Sequence, residues 1–118
     1  MKTVVIGASP NASRYSNRAV NNLLDKNHEV IPLGIREGEI AGLKIITDRP
    51  DLQDVHTVTM YVGAKIQPEW YDYIIELNPK RVIFNPGTEN SEFENILSDK
   101  GIEGLENCTL VLLSLGHF

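Results

Sequence analysis

A parallel β-sheet covered by helices on both faces, a three-layer α/β fold with five or six strands, is the architecture this sequence predicts. Short β-branched runs alternate with segments of helical period along the whole chain, the pattern of a sheet buried on both sides. The connections between them are short and carry Gly, Pro and Asn where turns are needed, as in α/β units. The length of 118 residues fits one domain, 1–118, with room for a single core.

The elements follow in order. Residues 3–6 (TVVI) form a β-branched first strand and residues 7–13 a turn-rich loop. Val20, Leu23 and Leu24 then share one face of a helix over 16–26, which Asn27 closes in the left-handed conformation. Residues 28–33 make the second strand, with Pro32 near its end where the ladder can spare a donor. After a Gly- and charge-rich stretch, residues 43–47 read as an edge strand and 57–62 as a buried one ended by Gly63. Pro68 suits the first turn of a helix on which Trp70, Ile74 and Leu77 face inward, and Asn78 and Pro79 stop it. Residues 81–84 (RVIF) form the next strand. A helix with Phe93, Ile96 and Leu97 inward follows, its start marked by Ser91 and Glu94 as a capping box and its end by Gly101. Residues 109–113 have the composition of a strand, but the last strand is preferred at 102–105, directly after Gly101, which leaves residues 109–115 as a short apolar terminal helix or turn. No repeat or linker is visible.

Composition narrows the function. Sixteen Asp and Glu outweigh eleven Lys and Arg, for a net charge of −5, and without a basic cluster nucleic acid is a poor partner. The longest strongly apolar run, residues 110–113, is far below the ~20 residues that span a bilayer, and the amino terminus lacks a signal peptide's apolar region. A cytoplasmic protein without membrane contact is expected. Cys108 is the only cysteine, and His28, His56 and His117 are scattered, so neither an internal disulfide nor a metal site is expected.

In an open parallel sheet, ligands bind beyond the carboxyl ends of the strands, where the strand order reverses. The first loop, VVIGASPNASRYS at 4–16, sits where a dinucleotide fold carries GxGxxG. Gly7 and Ala12 fit the first and third positions, but Ser9 replaces the second glycine, where the backbone approaches a pyrophosphate. No Asp or Glu ends the second strand to hold a ribose hydroxyl; Leu33 and Gly34 stand there, and Arg36 follows. Ser9, Asn11, Ser13, Arg14 and the N–H groups of the helix starting near Ser16 suit a phosphorylated, adenine-type cofactor better than plain NAD. Tyr15 and Tyr61 fall at the same rim, whereas Trp70, Tyr71 and Tyr73 read as packing residues. Glu89, Glu92 and Glu94 read as acidic residues that complement a helix dipole.

The loop GASPNASRYS, the segment HEVIPLGIREGEIAGLK at 28–44, FNPGTEN at 84–90 and NCTLVLLSLGHF at 107–118 together resemble the small stand-alone CoA-binding proteins. These are relatives of the CoA-binding domain of the succinyl-CoA synthetase α-subunit. The resemblance covers essentially the whole chain and implies a Rossmann-like fold. It also implies that Gly7, Ala8 and Ser9 turn against the cofactor's phosphates, with Arg14 and Ser16 beside them. Leu33, Gly34 and Arg36 would flank the adenosine and its 3′-phosphate; Val62 and Gly63 with Asn85, Pro86 and Gly87 would line the pantetheine side. The wider family often has Pro-Val-Asn-Pro after the second strand, where this chain has Pro32, Leu33, Gly34 and Ile35; a subfamily with Leu-Gly there is the nearer match.

The reading is a protein that binds coenzyme A or an acyl-CoA at the carboxyl rim as a non-catalytic carrier, sensor or regulatory module, with a homo-oligomer or a protein partner left open. The alternative is a nucleotide-dependent oxidoreductase using NAD(P), or a thiol-redox protein working through Cys108, which sits at a helix start where a thiolate is favoured. A binding role is preferred over an enzyme: no His or Lys is poised as acid or base, and a CoA ligase's ATP-binding domain and phosphohistidine loop have no space here.

Overall fold

Five four-residue strands, β1 (Thr3–Ile6), β2 (Val30–Leu33), β5 (Thr57–Met60), β6 (Arg81–Phe84) and β7 (Glu103–Glu106), run parallel in the order β2-β1-β5-β6-β7. The computed structural model describes all of residues 1–118. Between the strands lie α1 (Tyr15–Asp25), a small antiparallel hairpin of β3 (Glu39–Ile40) and β4 (Leu43–Lys44), a 3-10 turn (Gln67–Trp70) leading into α2 (Tyr71–Leu77), α3 (Ser91–Asp99) and a final α4 (Thr109–Ser114). This is the three-layer α/β architecture read from the sequence.

The central strand explains the layers. β1 is buried along its whole length, so its successive side chains feed two different cores. Val4 and Ile6 join the larger one, which β5, β6, α2 and α3 complete with Val58, Met60, Ile74, Phe84, Phe93 and Leu97. Val5 joins the smaller one, with Val20 and Leu23 of α1 and Leu113 of α4. Phe93 stacks on Tyr71 with ring centroids 4.1 Å apart and meets Phe84 edge-on at 6.0 Å, which fixes α3 against both α2 and the sheet.

The helix ends are set by local chemistry. Asn27 takes φ 65° after α1, and its N–H and that of His28 bond the carbonyls of Leu24 and Leu23. Gly101 takes φ 75° after α3, and its N–H and that of Ile102 bond Ser98 and Leu97. Both are paired 5→2 and 6→1 closures of a left-handed cap. Asn78 ends α2 at φ 47° with only the 5→2 bond, from its N–H to the Ile75 carbonyl, because Pro79 has no N–H for the second.

Three expectations need correction. The edge strand over 43–47 is split: Leu43 and Lys44 pair back on Ile40 and Glu39 across the Ala41–Gly42 turn, both of whose residues have positive φ. Only Ile46 reaches the sheet. Its N–H bonds the Pro32 carbonyl at 2.9 Å, and its own carbonyl accepts from Gly34 at 3.0 Å. That single bridge is a vestigial sixth strand outside β2, and the Pro32 carbonyl faces this thin edge, where a missing donor costs β1 nothing. Second, the cap of α3 is Asn90, whose Oδ1 accepts from Phe93 at 3.0 Å; Ser91 is already the first helical residue, because Asn90 is held in place from its other side. Third, the final strand lies one residue later than expected, because Ile102 is consumed by the α3 cap.

Counting the Ile46 bridge, the order reverses between β1 and β5. The chain runs outward from β1 to β2 and Ile46, then returns to β5 on the other flank of β1. The loops after β1 and β5 therefore frame the crevice where such sheets hold ligands.

Candidate functional site

The crevice is built around Gly7. Its φ of 96° turns the chain sharply off β1, and its N–H and that of Ala8 both bond the Leu33 carbonyl at 2.9 Å. A Cβ at position 7 would lie 3.0 Å from the carbonyl carbon of Tyr61 and from Val62 Cγ1, so glycine is needed both for the turn and for the close approach of the two crevice loops. Gly34 closes the other flank: a Cβ there would fall 2.4 Å from the Ala8 carbonyl oxygen. Gly7, Ala8, Leu33, Gly34 and Val62 are thus brought together, and Leu33 and Ala8 are buried in the cores beneath.

Beyond Ala8 the loop is shaped by its own polar side chains. Asn11 N–H donates to Ser9 Oγ at 3.1 Å, and Asn11 Oδ1 accepts from both the N–H and the hydroxyl of Ser13. Asn17 reaches back from α1 to the Ser9 carbonyl at 2.9 Å and is itself held by Asn21. The Oδ1 of Asn11 is therefore spent on the loop, while the residue itself stays exposed. By contrast, α1 opens at Arg14 without a side-chain cap, and the N–H groups of Ser9, Tyr15 and Ser16 have no acceptor in the chain. Ser16 is largely buried, but no side-chain oxygen sealed from solvent lacks a partner, so its hydroxyl stays in reach of the rim. Free donors at a helix start carry the positive end of the helix dipole and suit an anion. Arg14 and Arg36, both exposed, follow the ends of adjacent strands; the only ion pair in the molecule is Lys2 with Glu29.

The loops after β5 and β6 form the other half. Gly63 is exposed, has no positive φ, and a Cβ there would meet nothing within 4 Å, so nothing in the chain itself requires glycine at this point. Pro86 and Gly87 are exposed, with Gly87 at φ 91° and its N–H held by Glu89. Asn85 is different. It is 2% exposed, its Nδ2 donates to Thr59 Oγ1 and the Met60 carbonyl, and its Oδ1 accepts from the Thr109 N–H. Its amide braces the fold, so any contact it makes at the rim comes from other atoms.

That brace has a consequence for Cys108. Thr109 also exchanges a 2.8 Å hydrogen bond with Thr59, so the start of α4 is drawn back from the β7 edge over the ends of β5 and β6. Half-buried Cys108, the N-cap of α4, is thereby carried to the rim. The Tyr61 phenol is pushed up to about 12, by burial first and by negative charge at Cys108 second.

Sequence reasoning missed Gln67 altogether. It is fully buried, and its Nε2 donates to the carbonyls of Val62 and Thr88 while its Oε1 accepts from Asn90. The only signal was a polar residue on the inward side of a helix start. No group of three or more His, Cys, Asp or Glu side chains converges anywhere. His28 and His56 precede β2 and β5, at the end of the sheet opposite the crevice. No helix is long and apolar enough to cross a membrane.

Comparison with known proteins gives two kinds of match. The family described as CoA binding domain matches residues 1–114. A crystal structure of an uncharacterized protein is 50% identical over 99% of this chain and 97% of its own, with a TM-score of 0.97. A conserved hypothetical protein from Pyrococcus furiosus is 31% identical over 93% of this chain and 97% of its own (TM-score 0.81). A Thermus thermophilus protein at 20% identity shares the fold over 99% of this chain and 90% of its own (TM-score 0.86). No curated protein matches.

Proposed function

The chain belongs to the CoA-binding-domain family, and from that premise we propose that it binds coenzyme A or an acyl-CoA at the carboxyl rim as a carrier, sensor or regulatory module rather than as an enzyme. The observation that carries the reading is the row of free donors at Ser9, Tyr15 and Ser16, set beside a crevice that Gly7 and Gly34 close from either flank. The residues fit the cofactor's parts. The free N–H of Ser9, the α1 start and the Ser16 hydroxyl suit the pyrophosphate, the Ala8 N–H being spent on the Leu33 carbonyl, and Arg14 and Arg36 suit phosphate charge. Leu33 and Gly34 offer an apolar, side-chain-poor shelf for the adenosine. Val62, open Gly63 and the exposed Pro86–Gly87 turn offer a wall for pantetheine, with Asn85 supporting that turn from below.

A dinucleotide-linked oxidoreductase is disfavoured on two counts. The end of β2 presents Leu33 and Gly34 with no carboxylate to hold a ribose hydroxyl, and His28 and His56 precede their strands at the far end of the sheet. Bound CoA would supply a thiol or thioester to the rim, and the nearest reactive group of the chain is Cys108. The test is calorimetric titration with CoA, acetyl-CoA, NADH and NADPH in parallel. Saturable binding of CoA, with the dinucleotides at least tenfold weaker, is expected; equal or tighter binding of NADH overturns the reading.

A further inference from the structure

We propose that Gln67 is a positioning residue that locks the loops after β5 and β6 into one rigid wall, and so sets the affinity for the pantetheine arm without touching it. The proposal rests on the CoA reading given above. Gln67 is completely removed from solvent, an unusual state for an amide side chain unless every polar atom is paired. Its pairing spans two loops. Nε2 donates to the Val62 carbonyl at 2.9 Å and to the Thr88 carbonyl at 2.7 Å, and Oε1 accepts from Asn90 Nδ2 at 2.9 Å.

The network continues outward on both sides. Asn90 Nδ2 also reaches the Tyr71 hydroxyl at 2.8 Å, which in turn donates to Glu92, and the Thr88 hydroxyl returns to the Asn85 carbonyl at 2.8 Å. The Val62 and Thr88 carbonyls, one in each loop, thus share a single amide donor, while Asn85 is anchored separately to β5 and α4. No β-ladder joins these segments beyond Met60 and Phe84, where the β5–β6 pairing stops. Without Gln67 the Val62 and Thr88 carbonyls would lose their shared donor, and the spacing of the wall would no longer be fixed. The phosphate side, built by residues 7–16 and 33–36, shares none of these bonds.

The separation of the two halves makes the test specific. Gln67→Glu, which replaces the shared donor by an acceptor, and Asn90→Ser, which keeps an α3 cap but leaves Gln67 Oε1 unpartnered, are titrated with CoA and with adenosine 3′,5′-bisphosphate, which lacks the pantetheine arm. Both variants are expected to lose about tenfold in CoA affinity, roughly 1.4 kcal/mol, while affinity for the bisphosphate changes less than twofold. Equal losses for both ligands, no loss for either, or failure of both variants to fold would overturn the proposal. Absence of CoA binding by the unaltered protein would instead overturn the underlying CoA reading.

Discussion

A Cβ on Gly34 would sit 2.4 Å from the carbonyl oxygen of Ala8, so the end of β2 and the turn after β1 touch through backbone alone. This contact sets the width of the crevice on its β2 flank. It also separates two kinds of glycine at the rim, those the fold requires and one it does not.

Gly34→Ala is expected to be destabilising, because the obstacle is backbone and cannot move aside as a side chain would; overpacking of this kind costs about 1–3 kcal/mol. Gly63→Ala meets open space without a positive φ and is expected to leave stability within about 0.5 kcal/mol, yet to weaken CoA at least fivefold. Thermal unfolding and titration of the two variants check this. A Gly63→Ala variant that binds normally would remove the post-β5 loop from the site.

Arg36→Gln is expected to reduce CoA affinity about tenfold, roughly 1.4 kcal/mol, while dephospho-CoA, which lacks the 3′-phosphate, binds the variant and the unaltered protein alike. The unaltered protein should also lose CoA affinity as salt rises, since an exposed cation is screened within about 10 Å at 0.1 M ionic strength. A loss shared equally by both ligands would place Arg36 elsewhere.

Cys108 is expected to exchange with CoA disulfide. Its thiolate attacks one sulfur, the mixed disulfide forms on Cys108 and CoA leaves as a thiolate. Intact-mass spectrometry should show one CoA adduct, and bound acetyl-CoA should slow its formation. An unmodified thiol after prolonged incubation contradicts the placement of Cys108 beside the cofactor's reactive end.

Two titrations govern stability with opposite signs. His28 and His56 are both held below the ordinary value of 6.5, by burial first and then by surrounding positive charge that includes Arg81 and the amino terminus. The unfolded chain takes up these protons more readily, so the melting temperature should fall as pH drops below 6.5 through the folded-state values. His56→Gln should flatten that fall. Glu94 is held above the ordinary 4.5, by burial and then by neighbouring Glu106. The stability it contributes is present in acid and lost as pH rises through its folded value. Glu94→Gln should therefore raise the melting temperature at pH 7 and have little effect near pH 4. Melting curves from pH 4 to 8 read both.

Much of the fold was legible because its determinants are local. β6 lies at residues 81–84 as read, bounded by Pro79 and Asn85, and the helix stops read at Asn27, Asn78 and Gly101 fall on residue types that tolerate positive φ. The hairpin over 39–44 was not legible because Ala41 and Gly42 carry a weak turn signal, and the preference of Leu43 and Lys44 for Ile40 and Glu39 over the sheet depends on packing. Position at the carboxyl rim was legible where chain direction alone sets it, as for Gly7, Ser9 and Gly34 just past strand ends and Arg14 at the start of α1. Asn85 and Gln67 show the limit. Their partners Thr109 and Thr88 lie 24 and 21 residues away, and nothing local in the sequence shows that one amide braces α4 while the other joins two loops.

The most direct measurement of CoA binding at the carboxyl rim is a backbone amide NMR titration of the intact protein with CoA. The largest shifts and slowed exchange are expected on Ser9, Tyr15 and Ser16, whose N–H groups are free, with Gly34, Gly63 and Gly87 following and His28 and His56 unmoved. Shifts concentrated at the histidine end of the sheet, or no saturable shift at all, would contradict binding at the rim.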